Sequence, residues 1–172
     1  LHDLVLQHQG TLLDLIQLES GKARAHAFEE IADVAITARY YARTAADHLA
    51  TRHTLGALLA LSRTETVRHP HGVVGIVSPW NFPLSLPITD TIPALMAGNA
   101  VVLRPDSQTA LSALYGAMWL RDAGLPDGVL QVVVGAGATI GQAVVDRADY
   151  VSYTGSTETG RLVGESASLR LV

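Results

Sequence analysis

The amino-acid sequence predicts an α/β fold: a Rossmann-like, mostly parallel sheet with flanking helices, preceded by an N-terminal helical segment. Three observations carry this expectation. Short continuous apolar runs such as Val73-Val74-Gly75-Ile76-Val77 recur after residue 72, the pattern of strands buried on both faces. Helix-length segments separate these runs, and strands alternating with helices build parallel sheets. Before residue 55 the pattern is helical and dense in alanine, the best helix former. A chain of 172 residues can bury roughly 70% of its unfolded surface, enough for a sizeable core.

The elements follow in order. Over residues 1–18, Leu4, Val5, Leu12, Leu13, Ile16 and Leu18 fall near helical spacing. Glu19-Ser20-Gly21-Lys22 interrupts with a glycine. A long helix is expected over 23–49, with Phe28, Ile31, Ala35 and Ile36 on its apolar side and Asp33, Arg39 and Arg43 facing water. Residues 64–69 alternate weakly, and His69-Pro70-His71-Gly72 is a turn. Strands are expected over 73–77, 100–103, 131–134 and 150–153, and helices over 86–96, 109–123, 138–145 and 157–164. Gly98-Asn99 and the glycines of Gly124-Leu125-Pro126-Asp127-Gly128 are helix stops. The chain thus divides into a helical segment, 1–55, and an α/β portion, 56–172. The first residues lack an initiator Met and read as the inside of a helix; Leu169-Arg170-Leu171-Val172 reads as a strand entering a sheet. Both ends lead us to expect a fragment.

Composition narrows the function classes. The hydrophobic fraction of 48% and charged fraction of 16% describe a globular chain. The net charge of −4 and the lack of a basic block give no electrostatic footprint for nucleic acid. No apolar run approaches the roughly 18 residues of a membrane span, so no membrane partner is expected; the expected setting is the cytoplasm. There is no cysteine, so disulfides, thiolate metal sites and a thiol nucleophile are excluded within the chain. The seven histidines show no metal-ligand spacing, and no metal site is expected. Asp146 and Asp149 straddle a helix end and read as a solvated edge rather than an acid–base pair.

Ligands of doubly wound sheets sit at the carboxyl ends of strands. Three strands run into candidate loops: Ser78-Pro79-Trp80-Asn81, Arg104-Pro105-Asp106-Ser107 and Thr154-Gly155-Ser156-Thr157. Gly155 and Ser156 open a helix, whose free amides could face a phosphate; a Thr-Gly-Ser turn serves equally as an ordinary N-cap. Gly135, Gly137 and Gly141 form a G-x-G-x-x-x-G run, one residue longer than the dinucleotide fingerprint, which is either a nucleotide contact or a tight turn. Asn81, clamped between Pro79 and Pro83, could donate to a developing oxyanion or could bond its own backbone.

Taken together, the segments resemble the NAD(P)-dependent aldehyde dehydrogenases. The resemblance rests on Ser78-Pro79-Trp80-Asn81-Phe82-Pro83, the run from Pro93 to Thr109, Gly124-Leu125-Pro126-Asp127-Gly128, the glycine run and Tyr153-Thr154-Gly155-Ser156-Thr157-Glu158-Thr159-Gly160, all in the family's order. Within that family the sequence looks closest to the succinate-semialdehyde dehydrogenase branch. The resemblance implies that Asn81 donates to the substrate oxyanion. It implies that Val77, Ser78, Pro79 and Trp80 line the cofactor cleft, that Gly155 and Ser156 sit by the pyrophosphate, and that Arg104 and Ser107 lie by the adenosine ribose. Gly135, Gly137, Gly141 and Thr159 are expected to bind cofactor with them. The family usually carries Lys where Arg104 stands, and NAD-preferring members often carry Glu where Ser107 stands. A neutral serine leaves room for a 2′-phosphate, so the expected cofactor leans to NADP over NAD. The family's nucleophilic cysteine and its catalytic glutamate are not in this chain. The implied activity is therefore aldehyde oxidation by a complete homo-oligomeric enzyme, with residues 63–71 as an oligomerisation strand and this chain alone inactive. A non-catalytic nucleotide-binding or interaction module is the alternative.

Overall fold

The computed structural model describes residues 1–58 and 61–168, so the strand expected over 169–172 lies outside the described residues. Helices α1 (His2–Gln7), α2 (Gln9–Ser20) and α3 (Arg24–Leu49) come first. A hairpin of β1 (Arg52–Leu55) and β2 (Arg63–Thr66) follows. Then come β3 (Val73–Val77), α4 (Ser85–Met96), β4 (Ala100–Arg104), α5 (Ala110–Asp122), β5 (Leu130–Val132), α6 (Gln142–Arg147), β6 (Tyr150–Tyr153) and α7 (Thr157–Ser168). The main sheet has the order β5-β4-β3-β6, and every pairing in it is parallel.

Alternation along the strands sends side chains to two different cores. Val74, Ile76, Val101 and Leu103 face a large core that also takes Leu84 and Ile88 of the α4 region and Leu12, Ile16, Ile31 and Val34 of the helical segment. Val77 packs on the other face with Val144, Val145 and Val163, and Val102 and Val151 lie against them. Gly75 permits this second layer, because a Cβ there would come within 2.8 Å of Ala148 Cβ and Val144 Cγ1.

Three carboxylates tie the helical segment to the sheet layer. Glu30 on α3 is 1% exposed. Its Oε2 accepts the backbone N–H groups of Leu84 (2.9 Å) and Ser85 (3.0 Å) at the start of α4. Its Oε1 pairs with Lys22 Nζ at 2.5 Å, and that ammonium lies 4.0 Å from the centroid of the Phe82 ring. Ser85 Oγ also donates to Asp33. Glu19 on α2 treats α5 the same way: its carboxylate accepts from the backbone of Leu111 and Ser112, each at 2.7 Å, and from Ser112 Oγ at 2.6 Å. Side-chain anions thus satisfy amide groups that a helix leaves without internal partners and complement the positive end of the dipole.

The expected elements exist, with shifted ends. The helix expected over 1–18 is broken at His8 (φ −103°, ψ 17°), whose ring turns onto Trp119 at 5.5 Å. The strand expected over 131–134 starts at Leu130 and ends at Val132, although Val133 N still donates to the Leu103 carbonyl at 2.9 Å. The helix expected over 138–145 opens with a wide turn, in which Ile140 and Gly141 both donate to the Ala136 carbonyl (2.9 and 3.3 Å), before α6 begins. The strand expected over 63–71 is confined to Arg63–Thr66 and pairs antiparallel with β1, which the sequence reading missed. Every residue of this hairpin's strands is exposed. Asp149, exposed as expected, also accepts from Val73 N at 2.8 Å and pins the start of β3. Asn99, buried, accepts from His71 N and Gly72 N and donates to the Ala94 carbonyl.

Removal of the Glu30 carboxylate would leave Lys22 and two amide groups buried without partners. Glu30→Ala is expected to cost about 3–5 kcal/mol in urea unfolding. Glu19→Ala, which loses a more exposed cap, is expected to cost about 0.5–2 kcal/mol. Equal losses, or none for Glu30→Ala, would contradict the capping account.

Candidate functional site

Parallel pairing puts the carboxyl ends of β3, β4 and β6 on one rim. Val77 is in register with both Arg104 and Tyr153. The backbone continues the contact beyond the strands: Ser78 N donates to the Arg104 carbonyl (3.1 Å) and Thr154 N to that of Val77 (3.0 Å). The chain travels from β3 outward to β4 and β5, then returns to the other side of β3 as β6. That reversal between β3 and β6 is the topological switch point, where open α/β sheets bind ligands.

A cleft of about 330 Å³ opens there. Of the residues singled out in the sequence, it brings together Val77, Ser78, Pro79, Trp80, Arg104, Gly137, Gly141, Gly155, Ser156 and Thr159. Ser78 is 2% exposed, and its Oγ is the one buried side-chain polar atom among the described residues with no hydrogen-bond partner. An unpartnered buried hydroxyl is costly, and here it belongs to a cleft-lining residue. Trp80 is half exposed, with its carbonyl accepting from Thr109 Oγ1 at 3.3 Å.

The helix starts around the rim are not equivalent. Those of α4 and α5 already hold the carboxylates of Glu30 and Glu19. At α7 the hydroxyl of Ser156 accepts from Thr159 N (3.3 Å) and donates to Thr159 Oγ1 (3.1 Å), so Ser156 is the N-cap. The remaining first-turn amide groups have no intrahelical acceptor. The two roles considered for Gly155-Ser156, cap and anion site, are therefore compatible. Tyr153 folds its ring over Gly155, where a Cβ would meet ring atom Cζ at 2.7 Å.

Three sequence-derived residues fall outside the lining. Gly135 and Ser107 are two of them: the Gly135 carbonyl accepts from Arg104 Nε (3.1 Å), Arg104 Nη2 (2.7 Å) and Ser107 Oγ (3.0 Å). Arg104, 7% exposed, is thus a strut between the β4 and β5 loops as well as a lining residue. Asn81 is exposed beside Trp80, and its amide has no hydrogen-bond partner among the described residues; it does not bond its own turn. Asp106, Gln142, Tyr153 and Thr154 line the cleft without having been singled out as site residues. For Asp106 a signal was available, since it follows Arg104 closely and precedes a turn whose Gln108 N it caps at 3.0 Å. Nothing in the local sequence marks Glu30 or Lys22, whose role depends on a partner more than fifty residues away in sequence.

The full chain, residues 1–172, matches the profile described as "Aldehyde dehydrogenase family". The chain belongs to the aldehyde dehydrogenase family. A protein of Mycolicibacterium smegmatis (strain ATCC 700084 / mc(2)155), whose name reads "Putative succinate-semialdehyde dehydrogenase" with NADP(+), is 49% identical over 99% of this chain and 33% of its own length. A crystal structure described as an E. coli NADP dependent enzyme superposes with a TM-score of 0.92 at 34% identity, covering 99% of this chain and 35% of the other. A NAD-dependent benzaldehyde dehydrogenase from Corynebacterium glutamicum gives a TM-score of 0.89 at 35% identity, covering 98% and 38%. This aldehyde dehydrogenase chain therefore spans about a third of the length of the curated relatives it matches.

The overlap at Gly155 is testable by a double-mutant cycle. Gly155→Ala alone is expected to cost about 1–3 kcal/mol in urea unfolding, the usual range for overpacking. In a Tyr153→Ala background it should cost much less. Additive penalties would show that the ring does not occupy the space.

Proposed function

We propose that this chain is the cofactor-binding portion of an NAD(P)-dependent oxidoreductase that oxidises an aldehyde, succinate semialdehyde foremost, to its carboxylic acid. The observation that carries this reading is the gathering of three strand-end loops round one cleft at the switch point, with the unpartnered Ser78 hydroxyl among its lining residues. A hydroxyl kept from water and left unbonded fits a bound polar ligand better than an empty wall. The names of the relatives support NADP, with NAD as the alternative.

The roles follow from the chemistry of each group. The start of α7 at Gly155-Ser156 would hold the diphosphate, since, unlike the starts of α4 and α5, it has no carboxylate bonded to its amide groups among the described residues. Ser78 would donate or accept at the buried end. Trp80 offers a flat apolar face, and Gly137 and Gly141 let backbone come close without a side chain. Arg104 and Ser107, both fastened to the Gly135 carbonyl, hold the wall on the β4 side. Asn81, rigid between two prolines and unbonded, would donate its amide to the oxyanion of the aldehyde. When bound, the nicotinamide would supply the hydride acceptor. The chain contains no cysteine, so in this proposal the thiolate comes from the part of the enzyme beyond the matched third.

The complete enzyme is proposed to be a homo-oligomer working in the cytoplasm. The exposed β1–β2 hairpin, with Leu55 85% exposed, is the surface that supports association. No helix among the described residues is long and apolar enough to cross a membrane.

Titration calorimetry of the folded chain with NADP and with NAD tests the cofactor reading: saturable binding of at least one is expected, and no binding of either would overturn it. In a complete enzyme carrying this segment, Asn81→Ala is expected to lower turnover about 10²–10³-fold with dinucleotide affinity nearly unchanged. Unaltered turnover would remove Asn81 from the oxyanion site.

A further inference from the structure

Among the residues lining the cleft, only Arg104 and Asp106 carry formal charge. Both charges are held in place by backbone groups. Arg104 spends Nε and Nη2 on the Gly135 carbonyl. Its Nη1 is left 3.8 Å from Asp106 Oδ2, too long for a hydrogen bond but close enough for strong electrostatic contact. The other carboxylate oxygen, Oδ1, accepts from Gln108 N, so Asp106 cannot turn away without losing its cap. The cleft therefore presents one fixed cation and one fixed anion, and its lining is formally neutral.

We propose that Asp106 determines how far the cleft discriminates between a dinucleotide bearing an additional phosphate monoester and one without it. The inference rests on the cofactor reading above and goes beyond it, since the lean to NADP drew on the neutral Ser107 and on the names of relatives, not on Asp106. An additional phosphate monoester carries about 1.5–2 negative charges at neutral pH. Arg104 is the cation that can receive it, and Nη1 is the part of that guanidinium not committed to Gly135. Asp106 competes for the same nitrogen and repels the same phosphate. A dinucleotide lacking that group meets no such repulsion, and its ribose hydroxyls can donate to Oδ2, the usual partnership of an acidic residue with an unphosphorylated ribose. Asp106 thus weakens the preference that Ser107 would otherwise permit.

Asp106→Asn isolates the charge, because the amide oxygen can still accept from Gln108 N. Affinities of the full chain for NADP and NAD are measured by titration calorimetry, with circular dichroism to confirm the fold. NADP affinity is expected to rise about tenfold in Asp106→Asn, while NAD affinity stays the same or falls. The gain should shrink as salt is raised from about 0.05 to 0.5 M, because the interaction is partly exposed to solvent. Asp106→Ala, which loses the cap as well, should shift the ratio of the two affinities in the same direction. An unchanged ratio in Asp106→Asn overturns the proposal, as does a parallel change in both affinities, which would mark Asp106 as a loop-holding residue only. If the unsubstituted chain binds neither dinucleotide, it is the cofactor reading that fails, and the proposal falls with it.

Discussion

The arrangement of this molecule depends on where negative charge is placed at the starts of its helices. Parallel strands followed by helices inevitably aim several helix N-termini at one rim of the sheet, and each is a potential anion site. Here the helical segment fills two of them with its own carboxylates. Glu30 closes α4 from α3, and Glu19 closes α5 from α2. The start of α7 is left for something from outside. The candidate cleft is thus marked out partly by which of the available helix starts the protein has already filled.

The same contacts explain why the loop after β3 can do without glycine. In the usual dinucleotide fold, glycines let the first loop approach the pyrophosphate. Here that loop is fixed by Pro79 and Pro83, by the Ser78 amide bonding the Arg104 carbonyl, and by Lys22, which neutralises Glu30 while covering the Phe82 ring. Its rigidity serves Trp80 and Asn81, which are held out exposed rather than folded onto their own turn. The glycines appear instead after β5, where Arg104 and Ser107 converge on the Gly135 carbonyl. The two loops therefore differ in what they offer the cleft: the proline loop presents side chains, and the loop before α7 presents backbone.

Much of this was legible in the sequence because it is local. The runs over 73–77 and 150–153 are short, β-branched and bounded by turn residues, and they form strands with those bounds. Ten of the residues singled out in the sequence, by strand ends, the glycine run or the resemblance, do share one cleft. The pattern was silent where the cause is distant. Residues 52–55 carry no strand signal because β1 pairs with β2 while exposed throughout, with no buried face to pattern its sequence. Glu30 sits in a helical pattern as an ordinary charged residue, yet it is buried, because its partners arrive from α4 and from Lys22. The spacing of the glycine run left a cofactor contact and a tight turn both open for Gly135; its carbonyl accepts from Arg104. Spacing could not show this, since Arg104 lies some thirty residues earlier.

The central claim is that the loops beginning at Ser78, Arg104 and Thr154 act as one ligand site. Backbone amide NMR during titration with NADP tests it most directly. Concerted shifts at Ser78, Trp80, Gly137, Gly155 and Ser156, following a single binding curve, are the predicted result. Shifts confined to one loop, or gathered on the β1–β2 hairpin or the helical segment, would contradict the account.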